Sequence, residues 1–473
     1  MAIDGSWVDG AESVEITNPG NGDVLGEMPV ASAEQVEQAI EAAQRGRREM
    51  AALAAHERAA MLIAVADRLS ERAEELSRML AAENGKPIRQ TREEVGAAVR
   101  IFLGFGEEAK RIFGRQIPLD AVPGLEAHFA VTVREPLGVV AAVVPFNYPV
   151  ELYAHKAAAA LAAGNAVIAK PPDKCPLTLL EVARVVEEAG VPAAGHQMVT
   201  GGAETAQQLA RSGGVDLISL TGATEAGRQL AQLGAKTLKH VHLELGANDV
   251  MIVCEDADVE RATEAVVLGR LARGNGQICC AVKRVFVADE LYDAFAHSLE
   301  RQAGELVVGD QLSEETDVGP LINQAAAEAV EEAITATASA GARVGVGGGR
   351  DGAFIDPTVL TEVPVGAEAI EREVFGPVAP LMRMGAPEEA TEIANRSRQG
   401  LQAAVFTRDI ERAFALANRL EVGGVVINGS SALRAENMPF GGVKETGGGR
   451  EGLHDTLLAM TSEKSIIVMN ARR

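Results

Sequence analysis

Cys279 closes the segment Gly274-Asn275-Gly276-Gln277-Ile278-Cys279 and is followed at once by Cys280 and Ala281. Small, flexible residues ahead of a thiol let substrate and backbone approach it closely, which suits a nucleophile that carries an acyl group as a thioester. A cysteine alone says little, because most buried thiols are inert packing residues. The reading depends on its company.

Glu244 ends the apolar run Val241-His242-Leu243-Glu244 and is followed by Leu245 and Gly246. Burial at a strand end raises a carboxyl pKa toward neutrality and makes a general base, whereas an ion pair with a nearby cation would make the same residue structural. Asn147, in Pro145-Phe146-Asn147-Tyr148-Pro149, reads either as a turn residue between prolines or as an amide donor to a developing oxyanion. The stretch Thr221-Gly222-Ala223-Thr224-Glu225-Ala226-Gly227 follows a strand and opens a helix. Free amides and the positive end of that helix dipole suit a pyrophosphate, although the pattern is not G-x-G-x-x-G.

Positioning these groups requires a scaffold. Residues 32–114 read as helical, with Ser32/Gln35 and Thr91/Glu94 as capping boxes and Asn84-Gly85-Lys86-Pro87 as a break. Short apolar runs at 139–144, 166–169, 197–200, 217–220 and 238–243 alternate with helices, the pattern of a parallel sheet buried on both faces. Each ends in polar or Gly/Pro punctuation, and ligands bind outside the carboxyl ends of such strands. A second series follows Leu245-Gly246, at 250–253, 284–287, 353–360, 378–382, 403–406 and 424–428, and reads as a second α/β domain. Residues 115–135 and 461–468 read as extended arms for subunit contacts, or as an edge hairpin on the same chain.

Composition narrows the classes. With 473 residues, 47% hydrophobic and 23% charged, the chain is globular and long enough for two or three domains. One Trp and three Tyr make the core aliphatic. A net charge of −23 disfavours nucleic-acid and anionic-membrane partners. The four cysteines show no CxxC spacing and no metal-ligand pattern, which points to a reducing compartment. The first residues carry no basic and apolar leader, and no run spans a bilayer, so a cytoplasmic protein is expected.

Taken together the segments resemble the aldehyde dehydrogenase superfamily across almost the whole chain. The family's Pro-[Trp/Phe]-Asn-x-Pro is similar to residues 145–149 and its Lys-Pro-x-[Glu/Ser] to 170–173. Thr-Gly-x-Thr-x-x-Gly resembles 221–227, Leu-Glu-Leu-Gly 243–246 and Gly-Gln-x-Cys 276–279. Glu-x-Phe-Gly-Pro resembles 373–377 and Pro-Phe-Gly-Gly-x-Lys 439–444.

The resemblance implies an α/β fold: a Rossmann-type dinucleotide-binding domain (1–114 and 136–245), an α/β catalytic domain (246–440) and a small β oligomerisation arm (115–135 and 441–473) that builds homodimers or homotetramers. It implies Cys279 as nucleophile, Glu244 as activator of the hydrolytic water, and Asn147 with the Cys279 amide as oxyanion hole. Pro145, Lys170, Asp173, Thr221, Gly222, Gly227, Leu245, Glu373 and Phe375 would bind the cofactor, Lys170 and Glu373 at its riboses and Phe375 beside the nicotinamide. No metal is implied. Ala247 replaces the family's second Gly, a small change that leaves the base in place. Asp173 stands where many NAD-preferring members have Glu, and a carboxylate there repels a 2′-phosphate, so NAD is expected over NADP.

On the substrate side, His155 and Arg434, with Glu151 close by, stand where hydrophobic-substrate members place aromatic residues, Ile278 and Cys280 flank the nucleophile and keep that end compact, and Tyr148 borders the same space, so a small polar or anionic aldehyde is expected. Arg434 could instead pair with Glu436 or another local carboxylate. Three competing classes remain: a CoA-acylating semialdehyde dehydrogenase, against which Glu244 argues; a cofactor-independent thiol hydrolase, for which no His is nominated near the thiol; and a non-catalytic NAD-binding protein.

Overall fold

Apolar runs bounded by glycine, proline and polar residues become two seven-stranded sheets. The computed structural model describes residues 1–471. In the first sheet, parallel strands β1 (Val139–Val143), β2 (Ala166–Lys170), β3 (His196–Met198), β4 (Leu217–Thr221) and β5 (His240–Glu244) lie in the order β5-β4-β1-β2-β3. That order is a Rossmann half, with its switch point between β1 and β4. Strands β1, β2 and β4 are buried at every position, as helices on both faces require.

The second sheet holds β6 (Val250–Val253), β7 (Arg284–Ala288), β8 (Arg343–Val346), β9 (Thr358–Thr361), β10 (Val378–Met384), β11 (Gln402–Phe406) and β12 (Gly424–Ile427) in the order β8-β9-β10-β7-β6-β11-β12. All of its pairings are parallel except β8 with β9. The single strand expected over 353–360 is broken into Phe354–Ile355 and Thr358–Thr361, because Asp356-Pro357 lies between them and proline has no N–H for a ladder. Residues 245–249 run from one sheet to the other.

Ser32 caps the Ala33–Ala52 helix with Gln35 in the reciprocal arrangement its sequence suggests. Thr91 does not cap. It lies inside the Ile88–Glu108 helix, which starts after Pro87, and its hydroxyl bonds Ser77 O at 2.9 Å and Ile88 O at 3.0 Å. Proline won the start position because its fixed φ is already helical and it has no amide to satisfy.

The strand Phe129–Pro136 pairs antiparallel along its whole length with Thr461–Val468, and Gln116–Ile117 joins them in a three-stranded sheet. On its outer strand Ile466, Ile467 and Val468 stay exposed. The chain ahead of that strand closes the free edge of β5: Leu243 N donates to Gly448 O (3.1 Å) and Leu245 N to Thr446 O (2.8 Å). Among the described residues no helix is long and apolar enough to cross a membrane.

Candidate active site

The segment that leads to Cys279 is bent by its own sequence. A π-helical turn (Val267–Ala272) gives way to three consecutive left-handed residues, Gly274 (φ 59°), Asn275 (φ 53°) and Gly276 (φ 72°). Asn275 tolerates that conformation because its amide is fully used: it donates to Gly85 O (3.0 Å) and Pro320 O (2.9 Å) and accepts from Gly319 N (2.9 Å). At Gly276 a side chain is impossible, since a Cβ would stand 2.3 Å from the Gly376 carbonyl carbon. The fully buried Arg270 guanidinium joins the same two segments, donating to Gly276 O (3.3 Å), Val374 O (2.8 Å) and Val378 O (2.5 Å). Burial pushes it down to about 9.

Cys279 thereby faces a cleft of about 450 Å³ at the carboxyl ends of β1, β2, β4 and β5. Asn147, Glu244, Pro145, Lys170, Asp173, Thr221, Gly222, Leu245, Glu373 and Phe375 line it too. Gly227 does not: it lies one turn inside the Thr224–Ala235 helix, where a Cβ would stand 2.4 Å from Leu245 Cδ2. That helix begins at the cleft wall with Ala223 and carries no side-chain cap, so its first amides and dipole are open to an anion. The uncapped helix end, the Asp173 and Glu373 carboxylates and the flat wall of Phe375, edge-on to Phe146 at 5.9 Å, fit a dinucleotide.

The amide of Asn147 donates to Gln277 O (2.9 Å), two residues ahead of Cys279. Its backbone is fixed by a buried ion pair: Lys86 Nζ donates to Asn147 O (2.6 Å) and pairs with Glu94, whose other oxygen accepts from Val150 N (2.9 Å) at the start of the Pro149–Ala163 helix. Past Cys279, Lys283 Nζ bonds Cys279 O, Ala247 O (2.8 Å) and Glu373 Oε1 (2.7 Å).

Glu244 is 4% exposed, and among the described residues neither carboxylate oxygen has a hydrogen-bond partner. Burial, then the charge of Glu451, lifts its carboxyl well above the ordinary range. Gly441 makes room for it, since a Cβ there would lie 2.8 Å from Oε1. The thiols interact: the hydrogen bond with Cys280 raises Cys279, with burial adding, and draws Cys280 down to about 7. The first ionisation belongs to the pair.

Beyond the thiol, a chamber of about 40 Å³ is lined by Asn147, Cys279, Cys280, Ile278, Tyr148 and Phe440, with Glu151, Arg273 and Arg434 at its far side. It continues into an outer chamber of about 220 Å³ that includes His155. Arg434 pairs with Glu451 (2.7 Å) and lies 3.9 Å from Glu151, while Glu436 belongs to Arg100 (2.6 Å). Burial opposes the Arg434 charge, but Glu451 and Glu151 outweigh it. Among the described residues Arg273 has no carboxylate partner; it donates to Ala432 O (3.1 Å) and flanks the Tyr148 ring.

All the substrate-side residues named from sequence therefore border these chambers, and so does Arg273, whose charge is supported by Glu151 across the chamber but which makes no direct ion pair among the described residues. Sequence reading also passed over Lys86, Glu94, Lys283, Lys156 and Glu451. Lys156 and Glu451 form a fully buried pair (2.8 Å). A lone lysine at the head of the Ala-rich run 157–163 was the available signal for it.

The model of the aldehyde dehydrogenase family matches residues 7–466. A 3-sulfolactaldehyde dehydrogenase of Priestia aryabhattai is 39% identical over 471 residues, covering 99% of this chain and 98% of the relative. The solved structure of an NADP-dependent enzyme of E. coli superposes with a TM-score of 0.96 at 37% identity, covering 99% of this chain and 97% of that one. The NAD⁺ complex of an aldehyde dehydrogenase from Bacillus cereus gives a TM-score of 0.95 at 33% identity, covering 99% and 96%.

Proposed function

Because the chain belongs to the aldehyde dehydrogenase family, we propose that it oxidises a small polar or anionic aldehyde to the carboxylic acid, with NAD as oxidant and water resolving a Cys279 thioester. The observation that carries this reading is the meeting of Cys279, Asn147 and Glu244 on one cleft at the carboxyl ends of the first sheet.

Cys279, its thiol proton given up to solvent water, forms a bond from its thiolate Sγ to the aldehyde carbon, and the oxygen that gains the carbonyl electron pair accepts a hydrogen bond from the Asn147 amide. A nicotinamide dinucleotide held by Lys170, Glu373, Asp173 and the uncapped helix end would accept the hydride from that carbon. The carbon is then a thioester. Glu244 takes a proton from water as its oxygen bonds that carbon, the C–S bond breaks with its electron pair on Cys279, and the acid leaves. A buried carboxyl with a raised pKa is a strong enough base for this near neutral pH.

Arg273, half-buried and without a carboxylate partner, supports an anionic or polyhydroxylated group at the far end of the substrate. The Priestia relative is named for such an aldehyde. Asp173 supports NAD over NADP, and the E. coli neighbour is NADP-dependent. Four free thiols suit a reducing cytoplasm, and the exposed Ile466–Val468 edge suits a homodimer or homotetramer. The test is reduction of NAD and of NADP with a panel of short neutral and anionic aldehydes, with and without CoA. Acid formed without CoA supports the reading; strict dependence on CoA, or ester hydrolysis with no dinucleotide reduction, overturns it.

A further inference from the structure

Strand alternation places His242 and Glu244 on the same face of β5. Both are buried, at 3% and 4% exposure, and His242 Nε2 lies 4.0 Å from Glu244 Oε1. Neither ring nitrogen and neither carboxylate oxygen has a hydrogen-bond partner among the described residues. Four unpaired polar atoms side by side in a protein interior are costly, and 4.0 Å closes to hydrogen-bond length by rotating one carboxyl or by placing one water between.

The ring is held from the other side. Gly449, with φ of +114°, lies against it so closely that a Cβ would stand 2.1 Å from Cδ2. The charged and titratable groups around the pair are Glu451 and Arg450 from the segment that closes the β5 edge, Lys156 and His155 from the Pro149–Ala163 helix, and Arg434.

We infer that His242 is the positioning residue of the general base: its uncharged imidazole is the seat on which the protonated Glu244 carboxyl rests, directly or across one water. The inference rests on the hydrolytic reading of Glu244. Burial, with Glu451 opposing, draws the imidazole down to about 4, so near neutral pH it has a free nitrogen to accept. Burial and Glu451 favour the protonated carboxyl, and in that form it has an O–H to donate. Resting there, the acid form is favoured over the ionised form that attacks water. His242 thus sets the pH at which hydrolysis switches on, without touching substrate.

The test uses the full chain. Cys279 is acetylated with p-nitrophenyl acetate, and loss of the acetyl group is followed from pH 5.5 to 9 in the parent, His242→Phe, His242→Leu and His242→Gln. Removing the acceptor destabilises the protonated carboxyl, so the acid limb of deacylation moves to lower pH in the Phe and Leu variants. The rate at pH 6 relative to pH 9 then rises by about threefold or more. Gln, whose side-chain oxygen accepts, returns it toward the parent. A limb that stays put in folded Phe or Leu variants reduces His242 to packing and overturns the inference. A limb that moves to higher pH overturns it as well, because it makes His242 a donor to the anion. A parent whose acetyl group clears equally fast in Glu244→Gln defeats the hydrolytic reading itself, and the seat with it.

Discussion

Lys283 Nζ sits 2.7 Å from Glu373 Oε1 while also bonding the carbonyl of Cys279. One buried ammonium thus ties Cys279 to Glu373 on the wall of the cleft. Lys283→Met leaves Glu373 without its cation at a site where the lysine is 1% exposed. The carbonyls of Ala247 and Cys279 also lose their donor, and a loss of about 2 kcal/mol in stability is expected. Dinucleotide affinity should also fall by about tenfold, since Glu373 is then free to turn out of the cleft. Thermal melting and a fluorescence titration with NAD check the two effects.

The two thiols yield a second prediction. The two adjacent thiols share their first ionisation, since the thiol of one donates to the thiolate of the other. In Cys280→Ala that donor is gone and burial acts on Cys279 alone, so the midpoint of its alkylation by iodoacetamide should shift toward higher pH. Cys279→Ala should lose aldehyde oxidation by about a thousandfold or more while still binding NAD.

The two chamber arginines should part company. Arg273→Leu removes a chamber cation that makes no direct ion pair among the described residues and is expected to raise KM for anionic aldehydes by about tenfold or more, with neutral ones affected less. Arg434 is already committed to Glu451, so Arg434→Leu should depress kcat for both classes by disturbing the charges around Glu244. Steady-state kinetics on matched neutral and anionic aldehydes separate the two patterns.

Glu83 gives stability a pH dependence. Its carboxylate accepts from Leu177 N and Thr178 N, both at 2.8 Å, and burial lifts it from 4.5 to about 7. Between those values the folded chain binds more protons than the unfolded one. Stability from this group is therefore full below pH 4.5 and is lost as pH rises through about 7. The span is about 3 kcal/mol by the usual conversion. Urea unfolding at pH 5, 6, 7 and 8 should show the decline, and Glu83→Gln should flatten it.

Legibility in the sequence followed the range of the interactions. Short apolar runs placed β1, β2, β4, β6 and β7 within about a residue, because a doubly covered parallel strand writes its burial into consecutive positions. Asn147, Lys170, Asp173, Thr221, Gly222, Glu244 and Leu245 were legible because they stand at or just after strand ends, whereas Cys279, Glu373 and Phe375 follow helical turns and were legible through the motifs that resemble the family's. What stayed hidden joins distant segments: Lys86 to Asn147, Lys283 to Glu373, and Lys156 and Arg434 to Glu451. Each looks locally like an ordinary surface charge, and only tertiary packing makes it buried. His242 is the exception, since its spacing of two from Glu244 on a strand was open to reading.

The central proposition, that Cys279 carries the acyl group and Glu244 releases it, is tested most directly by trapping. Glu244→Gln is mixed with NAD and a short aldehyde, quenched in acid, digested and weighed by mass spectrometry. The account predicts a stoichiometric burst of NADH and an acyl adduct on Cys279. No adduct, an adduct on Cys280, or acid released at the parent's rate would contradict it.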